Sequence, residues 1–133
     1  QWLMLQQESP EDFVISTGKM ITVRKFIELC TRKLGWNDKK EENGIIWEGE
    51  GMDEIGRRAD TGEIVIRVDA RYFRPTEVEE LLGDSTKAKK KLNWEPKISI
   101  EKLISEMIDE DCKESKKESI LKKKGFSIYT SKE

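Results

Sequence analysis

Apolar residues recur along this chain at two spacings, and the switches between them mark out its elements. From Thr22 to Leu34, the residues Val23, Phe26, Ile27, Cys30 and Leu34 fall three or four positions apart, the repeat of one face of an α-helix. Thr22 stands before the run as an N-cap and Gly35 after it as a stop. Further on, Ile100, Leu103, Ile104, Met107 and Ile108 trace a second apolar stripe behind Ser99, and this is the most regular helix pattern in the chain. Two shorter helices are predicted between these. "TEVEELLG" opens with a capping box, Thr76 and Glu79, and closes on Gly83, while "STKAKKKLNW" brings Ala88 and Leu92 to one side. Pro96 separates the latter from the Ser99 helix.

Strand-type spacing appears in three places. "FVIS", Phe13 to Ser16, is a short apolar run before a "TGK" turn; "IIWEG" follows the polar "NDKKEEN"; "IVIRV" alternates with period two. Between the last two, "EGEGMDEIGRRADTGE" is expected to be a glycine- and charge-rich loop. An opening segment with Trp2, Leu3 and Leu5 is stopped at Pro10. Beyond Cys112 the apolar content falls away into "KESKKESILKKKGFSIYTSKE", expected to be a charged, solvated helix and tail. The pattern therefore predicts an α+β fold of a few short strands and four or five helices. Two parts are expected, residues 1–112 and a charged C-terminal part, 113–133.

Composition narrows the chemistry. Of 133 residues, 39% are charged and 35% hydrophobic, with a mean hydropathy of -0.73. Lys and Arg number 25 against 27 Asp and Glu, without the clustered basic face that nucleic acid would require. No apolar run approaches the roughly 20 residues that cross a bilayer, and no signal-peptide pattern is present. A cytoplasmic protein with neither nucleic-acid nor membrane partners is expected. The chain opens on Gln1, already inside an apolar-rich stretch, as though cut from something longer. There is no histidine, so the usual near-neutral general base and commonest metal ligand are missing. Cys30 and Cys112 are far apart in sequence and have no C-x-x-C partner; both read as reduced, structural thiols. "STGK", Ser16 to Lys19, lacks the first glycine and the K-[ST] order of a phosphate loop.

The stretches "FVISTGKMITVRKFIEL", "IIWEGEG", "EIGRR", "TGEIVIRVDARYFRPTEVEELLG" and "GDSTKAKKKLNWEPK", in that order, closely resemble the C-terminal portion of GDP-mannose 4,6-dehydratases. Those enzymes belong to the extended short-chain dehydrogenase/reductase group of nucleotide-sugar enzymes. The resemblance runs from Gln1 to about Gly125, and "YFRPTEV" followed by "GDSTKAKKKLNWEPK" is its most specific part. It implies a small substrate-binding subdomain whose Rossmann half, with its NADP site, lies elsewhere. In the family the intact enzyme oxidises mannose C4 with NADP, eliminates water across C5 and C6, and returns the hydride to C6. This chain has no G-x-G-x-x-G. Tyr72 and Tyr129 are followed four places on by Thr76 and Glu133, so there is no Tyr-x-x-x-Lys pair either. The isolated chain is accordingly expected to bind no NADP and to turn over no substrate.

The resemblance also implies where a nucleotide would be held. Arg74 of the R-P element corresponds to the residue that contacts the diphosphate, and Glu77 to the one that contacts the ribose hydroxyls. A guanidinium offers parallel donors to phosphate oxygens, and a carboxylate accepts from vicinal hydroxyls. Arg57 and Arg58 are placed to reach the nucleotide or a neighbouring subunit. Trp36, Trp47 and Trp94 are expected in packing rather than base stacking. The expected partners are GDP-mannose or GDP, and either the missing Rossmann half or further copies of the chain. The residues leave two other readings open: the same part of another sugar-nucleotide epimerase or dehydratase, and an interaction module without catalysis.

Overall fold

The structure is a computed structural model that describes residues 1–37, 43–74 and 81–127. Four α-helices are described: α1 (Trp2–Leu5), α2 (Val23–Leu34), α3 (Thr86–Leu92) and α4 (Ile100–Lys123). Three strands, β1 (Ile45–Glu48), β2 (Ile55–Arg58) and β3 (Ile64–Arg67), form one antiparallel sheet in the order β1-β2-β3. The α+β architecture is the one the spacing predicts. The predicted helix at Thr76 to Gly83 falls largely on residues 75–80, outside the described residues.

Local signals set the two long helices. The Thr22 hydroxyl accepts from the Lys25 N–H at 3.0 Å, satisfying one of the free donors of the first turn of α2. At the other end Gly35 adopts φ +71°, where Trp36 N–H reaches the Thr31 carbonyl and Gly35 N–H that of Arg32, a Schellman closure. Ser99 caps α4 in the same way, accepting from Lys102 N–H. This helix has 24 residues, about 36 Å at the usual rise. It continues across Cys112 and Lys113 unbroken before a second Schellman closure at Gly125, φ +81°.

Two sequence expectations are corrected. The glycine- and charge-rich stretch after β1 contains β2, "IGRR", which pairs with both neighbours: Trp47 opposes Gly56 on one side and Ile66 opposes Gly56 on the other. Gly56 is what lets three strands close here. A β-carbon on it would stand 2.6 Å from Ile45 Cδ1 and 3.2 Å from Ile66 Cβ, below van der Waals contact. Secondly, Phe13–Ser16 is not a strand, because no described strand lies beside it to complete a ladder. It is tied down by side chains instead. Ser16 Oγ donates to the Gly83 carbonyl at 2.7 Å, Lys87 Nζ donates to the Asp12 carbonyl, and Lys87 lies over the Phe13 ring.

The core is thin. Among the described residues the buried hydrophobic side chains are Ile45, Ala88, Leu92 and Ile104. α2 packs on α4, with Lys33 paired to Asp109 at 3.0 Å along the seam. Ile104 is 2% exposed, whereas Leu103 and Met107 on the same apolar stripe are almost half exposed. Only part of the face that the sequence marks as core is therefore covered. Among the described residues no helix is long and apolar enough to cross a membrane.

Candidate functional site

The loop that carries Arg74 leaves the sheet at the end of β3. Val68 N–H donates to the Glu54 carbonyl at 3.4 Å, which extends the β2–β3 pairing by one residue. The chain then turns. Tyr72 N–H reaches the Asp69 carbonyl at 3.0 Å, and the Asp69 carboxylate accepts from the Arg71 N–H at 2.9 Å. The same carboxylate takes three further bonds from the Arg71 guanidinium, at 3.2, 3.0 and 2.6 Å. This is an Asx turn reinforced by an ion pair. It delivers Tyr72, Phe73 and Arg74 to the surface.

Arg74 is exposed, and its guanidinium has no partner among the described residues. Most of the other arginines are engaged. Arg24 pairs with Glu54, Arg32 with Asn43, Arg57 with Glu48, Arg58 with Asp60 and Arg71 with Asp69. Glu77, the second expected contact, lies outside the described residues. Arg57 sits on β2, where Nε donates to Glu48 at 2.9 Å and Nη1 to the Gly62 carbonyl at 3.1 Å; these bonds hold the hairpin. Arg58 stacks on Trp36 at 4.4 Å while gripping Asp60 with two bonds, at 3.0 and 2.8 Å. Trp36 and Trp47 thus each have a guanidinium on one face, consistent with packing rather than base stacking.

A further cluster forms at the start of α2. Arg24 lies over the Trp47 ring, 4.6 Å from its centroid, and pairs with Glu54, so α2, β1 and the entry to β2 meet there. Trp47 Nε1 is buried beneath it without an acceptor among the described residues. The sequence did hold a clue. α2 has no acidic residue in its first turn and begins Val23-Arg24-Lys25, and cations at a helix N-terminus oppose its dipole. Such a helix start needs an acid from elsewhere in the fold.

The ion pairs shift proton affinities in one direction. The Arg71 guanidinium holds the Asp69 carboxyl below its ordinary value, and Arg58 does the same to Asp60. Hydrogen bonds from Lys91 and Lys87 lower Glu11, which ties α3 to the segment before Phe13. A carboxylate with a depressed folded pKa adds stability above its unfolded pKa and loses it as pH falls through the folded value. These pairs are exposed and each adds little, so the melting temperature should be flat above pH ~5 and fall only slightly through the carboxylate range, around pH 4 and below. Thermal melts by circular dichroism between pH 3 and 7 would show this, and a melting temperature unmoved by acid would refute it. Desolvation of the Cys30 thiol, with the Asp111 carboxylate adding to it, pushes its pKa up. Both cysteines are free, and Cys30 is thus a poor nucleophile.

The sheet is antiparallel and connected by short turns. Among the described residues no parallel βαβ unit supplies a glycine-rich turn for a pyrophosphate. No group of three potential metal ligands occurs among them either.

A family model for GDP-mannose 4,6 dehydratase matches residues 1–107. The chain belongs to that family. A GDP-mannose 4,6-dehydratase of Yersinia enterocolitica is 45% identical over 138 residues, covering 96% of this chain and 35% of that protein. The dehydratase of Vibrio cholerae is 42% identical, over all of this chain and 37% of its own length. The human enzyme is 46% identical over 110 residues, 83% of this chain and 28% of the human protein. The chain thus spans about a third of the length of the dehydratases it matches. Within the family region fall the sheet, α2, α3 and the Arg74 loop; the match ends inside α4.

Proposed function

We propose that this chain is the nucleotide-gripping part of a GDP-mannose 4,6-dehydratase, the enzyme that converts GDP-mannose to GDP-4-keto-6-deoxymannose. The observation that carries this is Arg74, an exposed guanidinium without a partner among the described residues and within the family-matched region. Arg74 takes the diphosphate as a bidentate donor and Glu77 takes the ribose hydroxyls. Arg57 joins them only by leaving the Glu48 carboxylate for a phosphate oxygen. Hydride transfer through NADP and the elimination of water belong to residues outside this chain, so the chain alone binds but does not turn over. The binding unit lies within residues 1–112, with 113–133 a charged extension. The protein works in the cytoplasm, joined to its Rossmann half or to other copies, and has no nucleic-acid or membrane partner.

Calorimetric titration of the chain with GDP tests this. Wild type should show saturable binding, and Arg74→Ala should weaken it by tenfold or more, as for loss of a charge-assisted bidentate contact, about 1.5–3 kcal/mol. A folded wild type that binds no GDP would refute a grip held by this chain alone. Tighter binding of UDP or dTDP would transfer the site to another sugar nucleotide.

A further inference from the structure

The Arg24 cluster is set back from Arg74 in sequence but connected to it through the backbone. Glu54 pairs with Arg24 through its carboxylate and accepts from Val68 through its carbonyl. Val68 is the residue from which the chain leaves β3, and the turn closed by Asp69 and Tyr72 joins it to Arg74. On the other side, Arg24 is fixed by the first turn of α2, whose cap is Thr22, and by the face of Trp47. The contacts therefore run from a helix start, across an indole, through a carboxylate to the root of the Arg74 loop. Arg24 touches both the indole and the carboxylate, and the Glu54 carbonyl bonds Val68.

We infer that Arg24 is a positioning residue for Arg74, holding Glu54, and through it Val68, so that the loop leaves the sheet at a fixed angle. This rests on Arg74 being the diphosphate ligand. The side chains of Arg24 and Glu54 are 46% and 21% exposed, and ion pairs so wetted add little to global stability. Their effect is local: they keep the carbonyl of Glu54 where Val68 can bond it. An arginine suits this place because its planar guanidinium can stack on Trp47 and pair with Glu54 together, which a lysine ammonium cannot match.

Two readouts separate positioning from ligand contact. In Arg24→Met, amide exchange at Val68 and Tyr72 should quicken roughly tenfold while exchange in α4 stays as in wild type, the pattern of local rather than global opening. Glu54→Gln should reproduce it and serves as the second variant if Arg24→Met fails to fold. Unchanged exchange at Val68 in the folded variant would overturn the inference. In GDP titrations Arg24→Met should bind about fivefold more weakly than wild type, but the same change should cost nothing further in an Arg74→Lys background, since coupled residues are not additive. A full additive loss there would mean that Arg24 acts independently of Arg74, and would also overturn it. If wild type binds no GDP while Val68 still responds to Arg24→Met, the nucleotide site falls and the positioning stands.

Discussion

Ile104→Ala is expected to abolish the cooperative thermal melt of this chain. Ile104 is 2% exposed and is the largest fully buried side chain among the described residues, lying on α4, the helix that packs against α2. Truncating a buried isoleucine to alanine costs about 2–5 kcal/mol through lost transfer energy and the cavity left behind. Whole domains are stable by only about 5–15 kcal/mol, and a core with Ile45, Ala88 and Leu92 as its other buried hydrophobic members belongs at the low end. The same change should separate α2 from α4, because the Lys33–Asp109 pair is partly exposed and contributes little by itself. Ile104→Val is the control, with an expected cost of about 0.5–1.5 kcal/mol and a melt that stays cooperative. Urea and thermal unfolding followed by circular dichroism would measure both. An alanine variant that melts cooperatively within a few degrees of wild type would show that the α2–α4 seam is not what holds the fold.

Self-association of the isolated chain is the second large effect expected. Its accessible surface is 11576 Å², whereas a compact monomer of 15.5 kDa should expose about 7,200 Å² by the usual scaling of surface with mass. The excess includes large apolar side chains: Trp2, Leu5, Val23 and Leu81 are each at least 70% exposed. Leu103 and Met107 add to it along the uncovered part of the α4 stripe. Uncovered apolar surface of that extent finds a partner. Sedimentation should give an apparent mass that climbs above 15.5 kDa over roughly a hundredfold range of concentration, with a melting temperature that climbs too, because association stabilises by mass action. A monomer with a concentration-independent melt would refute it.

Helices and their ends were legible because their code is local. Thr22 and Ser99 with their third-residue N–H partners, and Gly35 with its left-handed turn, act within a few residues, and the three-four spacing of apolar residues needs no knowledge of the rest of the fold. The strand β2 was hidden because "IGRR" has one apolar side chain and no alternation; it is a strand through pairing with β1 and β3 and through the room Gly56 leaves. "FVIS" misled for the opposite reason. Its composition is strand-like, but a strand exists only beside another, and what lies there is a carbonyl of Gly83 met by the Ser16 hydroxyl. Tertiary structure likewise brought Arg24 together with Trp47 and Glu54, a contact that no local spacing announces.

By itself, then, the sequence determined the α+β composition, α2, α4 and their caps, two of the three described strands, and through its resemblance the family. Only the tertiary structure decided which arginines are engaged, that β2 completes the sheet, and that a helix start, an indole and a carboxylate converge on Glu54, whose carbonyl holds the end of β3. Caps and periodicity are interactions between residues a few positions apart. Strand pairing and the Arg24–Glu54 contact, 30 residues apart, depend on where distant segments come to rest, and short-range spacing carries no record of that.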